Sequence, residues 1–111
     1  MIATITINPA IDKIYYIDDF SLNKLNRITD ENKEAISPGG KGVNISIMLK
    51  KFGINTIAMG FTGGVFGKKL EQEVRRLGIT TNFVKTEQDT RTDIFIIDNK
   101  NDTLTEINES G

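Results

Sequence analysis

Residues 38–44, Pro-Gly-Gly-Lys-Gly-Val-Asn, hold the groups best suited to chemistry in this 111-residue chain. The glycines surround Lys41, and an apolar run with helical spacing follows. Glycine lets a ligand approach the backbone closely, and the free N–H groups at a helix N-terminus attract anions. Lys41 would add a point charge for phosphate. The segment therefore predicts an anion-binding turn that leads into a helix. Taken alone, it fits an ordinary Pro-Gly turn with a solvated lysine even better.

The composition excludes several kinds of chemistry. There is no cysteine and no histidine, which rules out disulfides, thiolate metal sites, the Ser-His relay and imidazole ligands. With a net charge of −1, the chain has no global basic field for nucleic acid, so any phosphate recognition must be local. Its apolar runs are too short to span a bilayer, and its N-terminus has no secretory pattern. We therefore expect a cytoplasmic protein with no nucleic-acid or membrane partner.

Apolar periodicity predicts helices that alternate with strands. Two segments carry the helical pattern, 42–52 and 65–77, and a glycine follows each of them at a C-terminal capping position. The predicted strands are 2–8, 13–20, 55–61, 81–85, 92–98 and 103–107, the last two as a hairpin, and 21–37 is expected to be rich in loops. This order favours an α/β fold with a parallel sheet, interrupted by strands that lie elsewhere.

The predicted elements do not complete such a fold. The sequence stops soon after a strand-like segment, with no further helix to cover the sheet, whereas parallel sheets are normally covered on both faces. Two helices and about three core strands also make a thin core for a chain of this length. We therefore interpret the chain as an incomplete domain.

Several short motifs occur in an order that indicates a known family. They are residues 8–12 (Asn-Pro-Ala-Ile-Asp), 38–44 with 49–53 (Leu-Lys-Lys-Phe-Gly), 60–64 (Gly-Phe-Thr-Gly-Gly), 89–91 (Asp-Thr-Arg) and 105–108 (Thr-Glu-Ile-Asn). Together they resemble the N-terminal third of a PfkB-family carbohydrate kinase, which has the ribokinase fold. The branch they resemble most is that of the 1-phosphofructokinases and tagatose-6-phosphate kinases. The resemblance covers essentially the whole chain.

The resemblance implies an architecture and a reaction. The architecture is a Rossmann-like parallel sheet with a small β-lid over the sugar site, and residues 1–111 would form the N-terminal part of a single kinase domain. The lid strands would lie at about 13–20 and 92–107. The reaction is phosphoryl transfer from ATP, with Mg²⁺, to a hydroxyl of a phosphorylated ketohexose. Fructose 1-phosphate is the first candidate for that substrate, and tagatose 6-phosphate is the second.

The resemblance also implies substrate-binding roles for six residues. Asp12 would bind sugar hydroxyls at the lid hinge, since a carboxylate accepts bonds from two neighbouring hydroxyls. Lys41 and Arg91 would be candidates for the phosphate of the substrate, and arginine offers phosphate a fork of two donors. Backbone and amide contacts to the sugar would come from Gly39, Gly40 and Asn44.

Each of these assignments has a plain structural alternative. Asp12 could cap the turn after Pro9, and without the resemblance we would prefer that interpretation. Asn44 could be a helix residue whose side chain points into water. Arg91 could form a surface ion pair, of little energetic value, with a neighbouring acid: Glu87, Asp89 or Asp93. With the resemblance, we favour the functional roles of Asp12, Asn44 and Arg91.

The catalytic aspartate of the family lies in a Gly-Ala-Gly-Asp-type motif, which this sequence does not contain. We therefore predict no catalytic residue in the chain and expect most of the ATP and Mg²⁺ site to lie outside it. The alternative function is a non-catalytic module that binds a sugar phosphate or associates through its lid strands as a homodimer. A third hypothesis, an adenosine or ribose kinase, is disfavoured by the motifs at 8–12 and 89–91.

Overall fold

The computed structural model describes residues 1–28 and 34–110, with residues 34 and 35 described by their backbone only. Within these ranges the chain forms seven strands and two helices. In chain order they are β1 (Ile2–Thr6), β2 (Ala10–Tyr16), β3 (Glu34–Gly39), α1 (Lys41–Lys51), β4 (Thr56–Gly63), α2 (Gly64–Arg76), β5 (Thr80–Thr86), β6 (Arg91–Asp98) and β7 (Thr103–Asn108). Neither helix is long and apolar enough to cross a membrane.

The first sheet is parallel and has the strand order β1-β4-β5. Helix α1 packs on β1 and β4, and α2 packs on β4 and β5. Because both right-handed crossovers run in the same direction across the sheet, the two helices lie on one face. Side chains on the opposite face include Ile5, Phe61 and Val84, which are exposed. The prediction of an α/β fold with a parallel sheet is therefore confirmed.

The second sheet is mixed and has the order β3-β2-β6-β7. Strands β2 and β6 run parallel to each other, and the two outer pairs are antiparallel. Helix α2 contacts β2 and β3 as well as the first sheet, so it joins the two sheets. Strands β2, β6 and β7 correspond to the strands expected outside the parallel sheet, and the β6–β7 hairpin is present as expected.

The buried carboxylate of Asp98 ties together one end of the second sheet. Its Oδ1 and Oδ2 atoms accept hydrogen bonds of 2.8–3.1 Å from backbone N–H groups of the loop after β2 and of the β6–β7 turn. The donors are Asp19, Phe20, Lys100 and Asn101. The side chain of Asn101 also donates from Nδ2 to Asp98 Oδ2 at 3.0 Å. This side-chain bond is the largest cause that lowers the pKa of Asp98 to about 2, and the backbone bonds add to it.

Two predictions about the strands were wrong in part. The loop expected at 21–37 includes the start of strand β3, which begins at residue 34; residues 29–33 lie outside the described part of the chain. Strand β3 is an edge strand, where the missing N–H of Pro38 is tolerated, and Ile36 packs against the core. The strand expected at 13–20 is β2, which begins at Ala10 and ends at Tyr16. Asp12 therefore lies inside a strand.

The hydrophobic core lies between the helices and the two sheets. Its buried members are Ile11, Val43, Ala58, Leu70, Val74, Ile79 and Phe83. In α2, the helical apolar pattern buries Leu70 and Val74, whereas Phe66 and Leu77 at the ends of the helix are partly exposed.

Helix α1 buries a smaller and more polar face than its sequence predicts. Its buried residues are Gly42, Val43 and Ser46, whereas Met48 is 51% exposed. The Ser46 hydroxyl hydrogen-bonds to Thr4 Oγ1 at 2.6 Å and to Thr56 Oγ1 at 2.7 Å. These hydroxyls satisfy one another beneath the helix and let α1 approach the sheet closely.

Candidate functional site

Asp12 lies on the face of the second sheet that points away from the core. Ile11, the preceding residue of β2, is fully buried in the core, so strand alternation turns Asp12 to the opposite face. Its partners across the sheet are Ser37 on β3 and Asp93 on β6. Asp12 and Asp93 thus occupy the same face of neighbouring strands.

Gly39, at the end of β3, lies directly against the Asp12 carboxyl group. A Cβ atom on Gly39 would lie 2.7 Å from Oδ2, 2.8 Å from Oδ1 and 2.9 Å from Cγ of Asp12, closer than real contacts allow. Gly40 needs glycine for another reason, because its φ of 114° is rarely adopted by other residues. A Cβ atom there would also lie 2.6 Å from the Thr6 Cγ2 atom. The two glycines therefore bring the β3–α1 turn close to β2 and β1.

The turn at Gly40 leads into α1, as the sequence predicted. The first N–H groups of a helix have no acceptor within it, and that of Val43 is bonded to Thr6 Oγ1 at 2.9 Å. Lys41 and Asn44 are exposed in the first turn of the helix. With Gly40, Ile45 and Met48 they line an open cavity of about 420 Å³.

Arg91, the first residue of β6, is placed by the residue before it. The Thr90 Oγ1 atom accepts a 3.0 Å hydrogen bond from the N–H of Gly63, and the Thr90 N–H donates to the Gly63 carbonyl at 2.9 Å. This pair of bonds fastens the start of β6 to the turn between β4 and α2. Thr90 thus positions Arg91, and in the sequence only its place in the Thr-Arg motif distinguished it.

The Arg91 guanidinium already has several protein partners. Its Nη1 atom forms an ion pair with Asp93 at 3.1 Å from Oδ1 and 3.3 Å from Oδ2. Nε and Nη2 donate to the Asn8 carbonyl at 3.4 and 3.3 Å, and Nη1 donates to the Glu109 carbonyl at 3.4 Å. Of the three acids proposed as partners from the sequence, Asp93 is the one that is paired with Arg91.

Arg91 and Lys41 line different cavities. Arg91 lines one of about 190 Å³, together with Phe66, Asp89, Thr90, Glu109 and Ser110, whereas Lys41 lines the cavity beside α1. Within residues 1–28 and 34–110, no side-chain hydrogen bond or ion pair joins Lys41 or Asn44 to Asp12 or Arg91. The six predicted residues thus form two neighbouring groups. One is Asp12, Gly39 and Arg91, and the other is Gly40, Lys41 and Asn44.

The surroundings of Asp12 alter its acidity. Burial, the charge of Asp93 and the charge of Glu106 raise the pKa of Asp12 to about 6, and the positive charge of Arg91 partly offsets them. A hydrogen bond between the carboxyl groups of Asp12 and Asp93 is a smaller cause of the same rise in pKa. Asp12 is therefore mostly ionised at pH 7, where it can accept hydrogen bonds from hydroxyl groups, and it takes up a proton near pH 6.

The two groups differ in the chemistry they offer. A carboxylate such as that of Asp12 is able to accept hydrogen bonds from hydroxyls, whereas a helix N-terminus beside a lysine offers positive charge. Asp93 and Glu106 were not predicted as site residues. Each lies two residues from a residue of the quoted motifs, Arg91 or Asn108, on a predicted hairpin strand, and this spacing places them on the same face of the sheet. In the described part of the chain, no cluster of three or more acidic residues could hold a metal ion. The described residues therefore offer no ready set of ligands for the Mg²⁺ implied by the resemblance.

The chain thus forms an α/β protein in which one helix joins a parallel sheet to a mixed sheet and a Gly-Gly turn lies against a strand aspartate. The chain matches the family model "pfkB family carbohydrate kinase" over residues 6–111. It therefore belongs to the pfkB family of carbohydrate kinases.

Individual relatives agree with this assignment. The chain is 39% identical over 97 residues to a tagatose-6-phosphate kinase of Staphylococcus epidermidis, covering 87% of this chain and 30% of the relative. It is 37% identical over 111 residues to the 1-phosphofructokinase of Bacillus subtilis, covering 100% of this chain and 35% of the relative. The chain thus spans about a third of the length of these curated relatives.

Solved structures support the same fold. A Thermotoga maritima protein described as a possible 1-phosphofructokinase is 51% identical, with a TM-score of 0.90, covering 100% of this chain and 35% of that one. Thermotoga maritima ribokinase is 20% identical with a TM-score of 0.75, covering 98% of this chain and 36% of that one, which shows likeness of fold alone. The ribokinase-like α/β fold predicted from the sequence is confirmed.

Proposed function

We propose that this chain supplies the sugar-phosphate-binding part of a kinase that transfers a phosphoryl group from ATP to a hydroxyl of a phosphorylated ketohexose. Fructose 1-phosphate is the first candidate for the acceptor and tagatose 6-phosphate is the second, in keeping with the names of the relatives. The protein would act in the cytoplasm, and the mixed sheet, with strands β2, β6 and β7, would be a lid over the sugar.

The observation that carries this proposal is the contact between the Asp12 carboxyl group and Gly39. It sets a hydrogen-bond acceptor for sugar hydroxyls beside a backbone that a ligand can approach without meeting a side chain. The N-terminus of α1 begins two residues later and supplies an anion-binding element next to it. Gly39, Gly40 and Asn44 would contact the sugar.

For the phosphate of the substrate, the geometry supports Lys41 and Arg91 unequally. Lys41 is exposed at the start of α1, with its ammonium group available to a ligand in the cavity beside that helix. Arg91 is engaged by Asp93, so it would have to exchange a partner to bind phosphate. A closing lid would bring ligand and residues together and exclude water, which otherwise competes as the phosphoryl acceptor.

The proposal is tested by calorimetric titration of the chain with fructose 1-phosphate, tagatose 6-phosphate and inorganic phosphate. Replacing Asp12 by asparagine should weaken sugar-phosphate binding by about tenfold or more, because hydrogen bonds to a charged acceptor are lost. Binding of inorganic phosphate should not weaken. The control is Asp18→Asn, which removes an exposed acid beyond the end of β2. Equal effects of the two variants, or tighter binding by Asp12→Asn, would contradict the proposed role.

The chain by itself should show no ATP-dependent kinase activity. Phosphoryl transfer needs groups around the γ-phosphate, and none of the residues present can be assigned that work. ADP release in a coupled assay measures this directly. Turnover by the purified 111-residue chain would contradict the proposal that the catalytic groups lie elsewhere.

The second candidate, a non-catalytic module that associates as a homodimer, is favoured by one surface. Strand β7 forms an edge of the second sheet, and its Leu104 is 63% exposed. Exposed edge strands readily pair with another copy. Sedimentation velocity should then show a concentration-dependent dimer, which Leu104→Lys weakens. A monomer at every concentration would leave only the sugar-phosphate-binding proposal.

A further inference from the structure

The hydrogen bonds of Arg91 leave few of its donors available to a ligand. A guanidinium group carries five N–H donors. Nη1 is bonded to Asp93 and to the Glu109 carbonyl, while Nε and one N–H of Nη2 are bonded to the Asn8 carbonyl. Among the described residues, this leaves a single Nη2 N–H of Arg91 without an acceptor.

A single donor is a poor match for a phosphate group. Arginine binds phosphate best through two parallel N–H groups on one edge of the guanidinium. One edge, Nε with Nη2, is occupied by the Asn8 carbonyl, and the other edge includes Nη1, which is bonded to Asp93. To form a fork, Arg91 must therefore give up Asp93 or Asn8.

Asp93 is the partner that competes most directly with an anion, because it is itself one. It is buried, and its carboxylate contacts Arg91 through both oxygen atoms. The same face carries two further acids, Asp12 on β2 and Glu106 on β7, and the charge of Glu106 raises the pKa of Asp12. Arg91 is a positive group that acts on Asp12 at this face and lowers its pKa. The Asp93 carboxylate therefore weakens the attraction of Arg91 for a phosphate.

We propose that Asp93 is an internal competitor for the anion of the ligand: it holds Arg91 in a closed ion pair, and the ligand binds by exchanging its phosphate for the Asp93 carboxylate. The inference deepens the proposed function and rests on it for the identity of the ligand. Asp93 would thereby lower the affinity of the chain for the phosphate of the ligand without contacting the sugar.

The experiment measures anion affinity by calorimetry in the whole 111-residue chain, with sulfate, fructose 1-phosphate and unphosphorylated fructose as probes. Asp93→Asn keeps the shape of the side chain and removes its charge, so sulfate and fructose 1-phosphate should bind about fivefold tighter or more. The matched control is Glu106→Gln, which removes an equal charge from the same face but has no ion pair with Arg91. It should change affinity by less than about twofold.

Two further measurements remain decisive if Asp93→Asn does not fold. The variant Asp93→Ala removes the acceptor altogether and should also tighten sulfate binding. In the wild-type chain, the ¹³C resonance of the Asp93 carboxyl group should shift when fructose 1-phosphate binds, because the bond to Arg91 breaks. Ligand binding without that shift would overturn the proposal.

The outcomes separate this inference from the proposed function. Fructose 1-phosphate binding that is equal in the wild type and in Asp93→Asn, or that responds equally to Glu106→Gln, overturns the inference and leaves the proposed function standing. Sulfate binding that tightens in Asp93→Asn without any preference for fructose 1-phosphate supports the inference and contradicts the sugar ligand. Absence of anion binding in every variant overturns both.

Discussion

Replacing Gly39 by alanine would place a methyl group against the Asp12 carboxyl, 2.7–2.9 Å from three of its atoms. Overpacking of this kind costs about 1–3 kcal/mol of folding free energy. Asp12 is only half-buried and can turn outward, so we expect the lower end, about 1–2 kcal/mol. For a chain of 111 residues this lowers Tm by about 4–8 °C. Sugar-phosphate binding should weaken as well, because the turned carboxylate leaves its place beside the backbone.

A double-mutant cycle shows whether the clash with Asp12 is the cause. Asp12→Ala removes all three of the close atoms, Oδ1, Oδ2 and Cγ. In that background Gly39→Ala should cost almost nothing, and restriction of the unfolded chain could stabilise it by about 0.5 kcal/mol. The expected coupling energy between the two sites is therefore about 1–2 kcal/mol, measured by urea unfolding at constant pH.

Gly53 supplies the matched control for this cycle. It has no atom within 4 Å of a Cβ position, but its φ is 77°. Gly53→Ala should thus cost about 1–2 kcal/mol through backbone strain alone, by the same amount with or without Asp12. If Gly39→Ala proves equally costly in both backgrounds, the steric argument for this glycine is wrong.

Three further predictions concern stability. The pKa of Asp12 is raised to about 6, so the folded state binds more protons than the unfolded one between about pH 4 and 6. The stabilisation that Asp12 contributes to the folded state is therefore present below pH 4 and lost as pH rises through 6. Because the carboxyl group is half exposed, we expect this stabilisation to be about 1–2 kcal/mol. Asp12→Asn should flatten the curve of unfolding free energy against pH between about pH 4 and 6. An unchanged slope in this variant would show that Asp12 is not the group responsible. Thr90→Val leaves the buried N–H of Gly63 without its 3.0 Å hydrogen bond and should lower the free energy of unfolding by about 1–3 kcal/mol, measured by thermal unfolding. A loss below about 0.5 kcal/mol would show that the bond between Thr90 and Gly63 does not hold the start of β6 in place. Asp98 has its pKa lowered to about 2, so its stabilisation is present above pH 4 and lost as pH falls through 2. Asp98→Asn should remove that acid-sensitive part, whereas Asp102→Asn, in the exposed turn, should not.

Much of the fold could be predicted because its signals are local. The helices at α1 and α2 follow from periodicity and end near glycines, and their observed bounds lie within one residue of those predicted. Strand β3 was missed because its polar sequence and Pro38 resemble a loop. It is a strand because its backbone pairs with β2 and Ile36 reaches the core, which are contacts that no local pattern contains.

For the candidate site, residue types were easier to predict than partners. The Gly-Gly turn was predicted from residues 38–44 alone, but the reason for Gly39, the Asp12 carboxyl, lies 27 residues earlier in the chain. Asp93 was considered only as a possible surface partner of Arg91. Its place beside Asp12 depends on the parallel pairing of β2 with β6, which joins strands far apart in sequence.

The sequence by itself thus determined the α/β class, the family, the two helices and the glycine turn that begins α1. The family was indicated by the order of several short motifs along the chain. The other features depend on backbone conformation and on apolar spacing, which are encoded within a few neighbouring residues. The tertiary structure alone decided that Asp12, Asp93 and Arg91 form one charged group and that Lys41 lines a different cavity. Charges act through space, so the state of each of these side chains depends on which strands the fold places side by side.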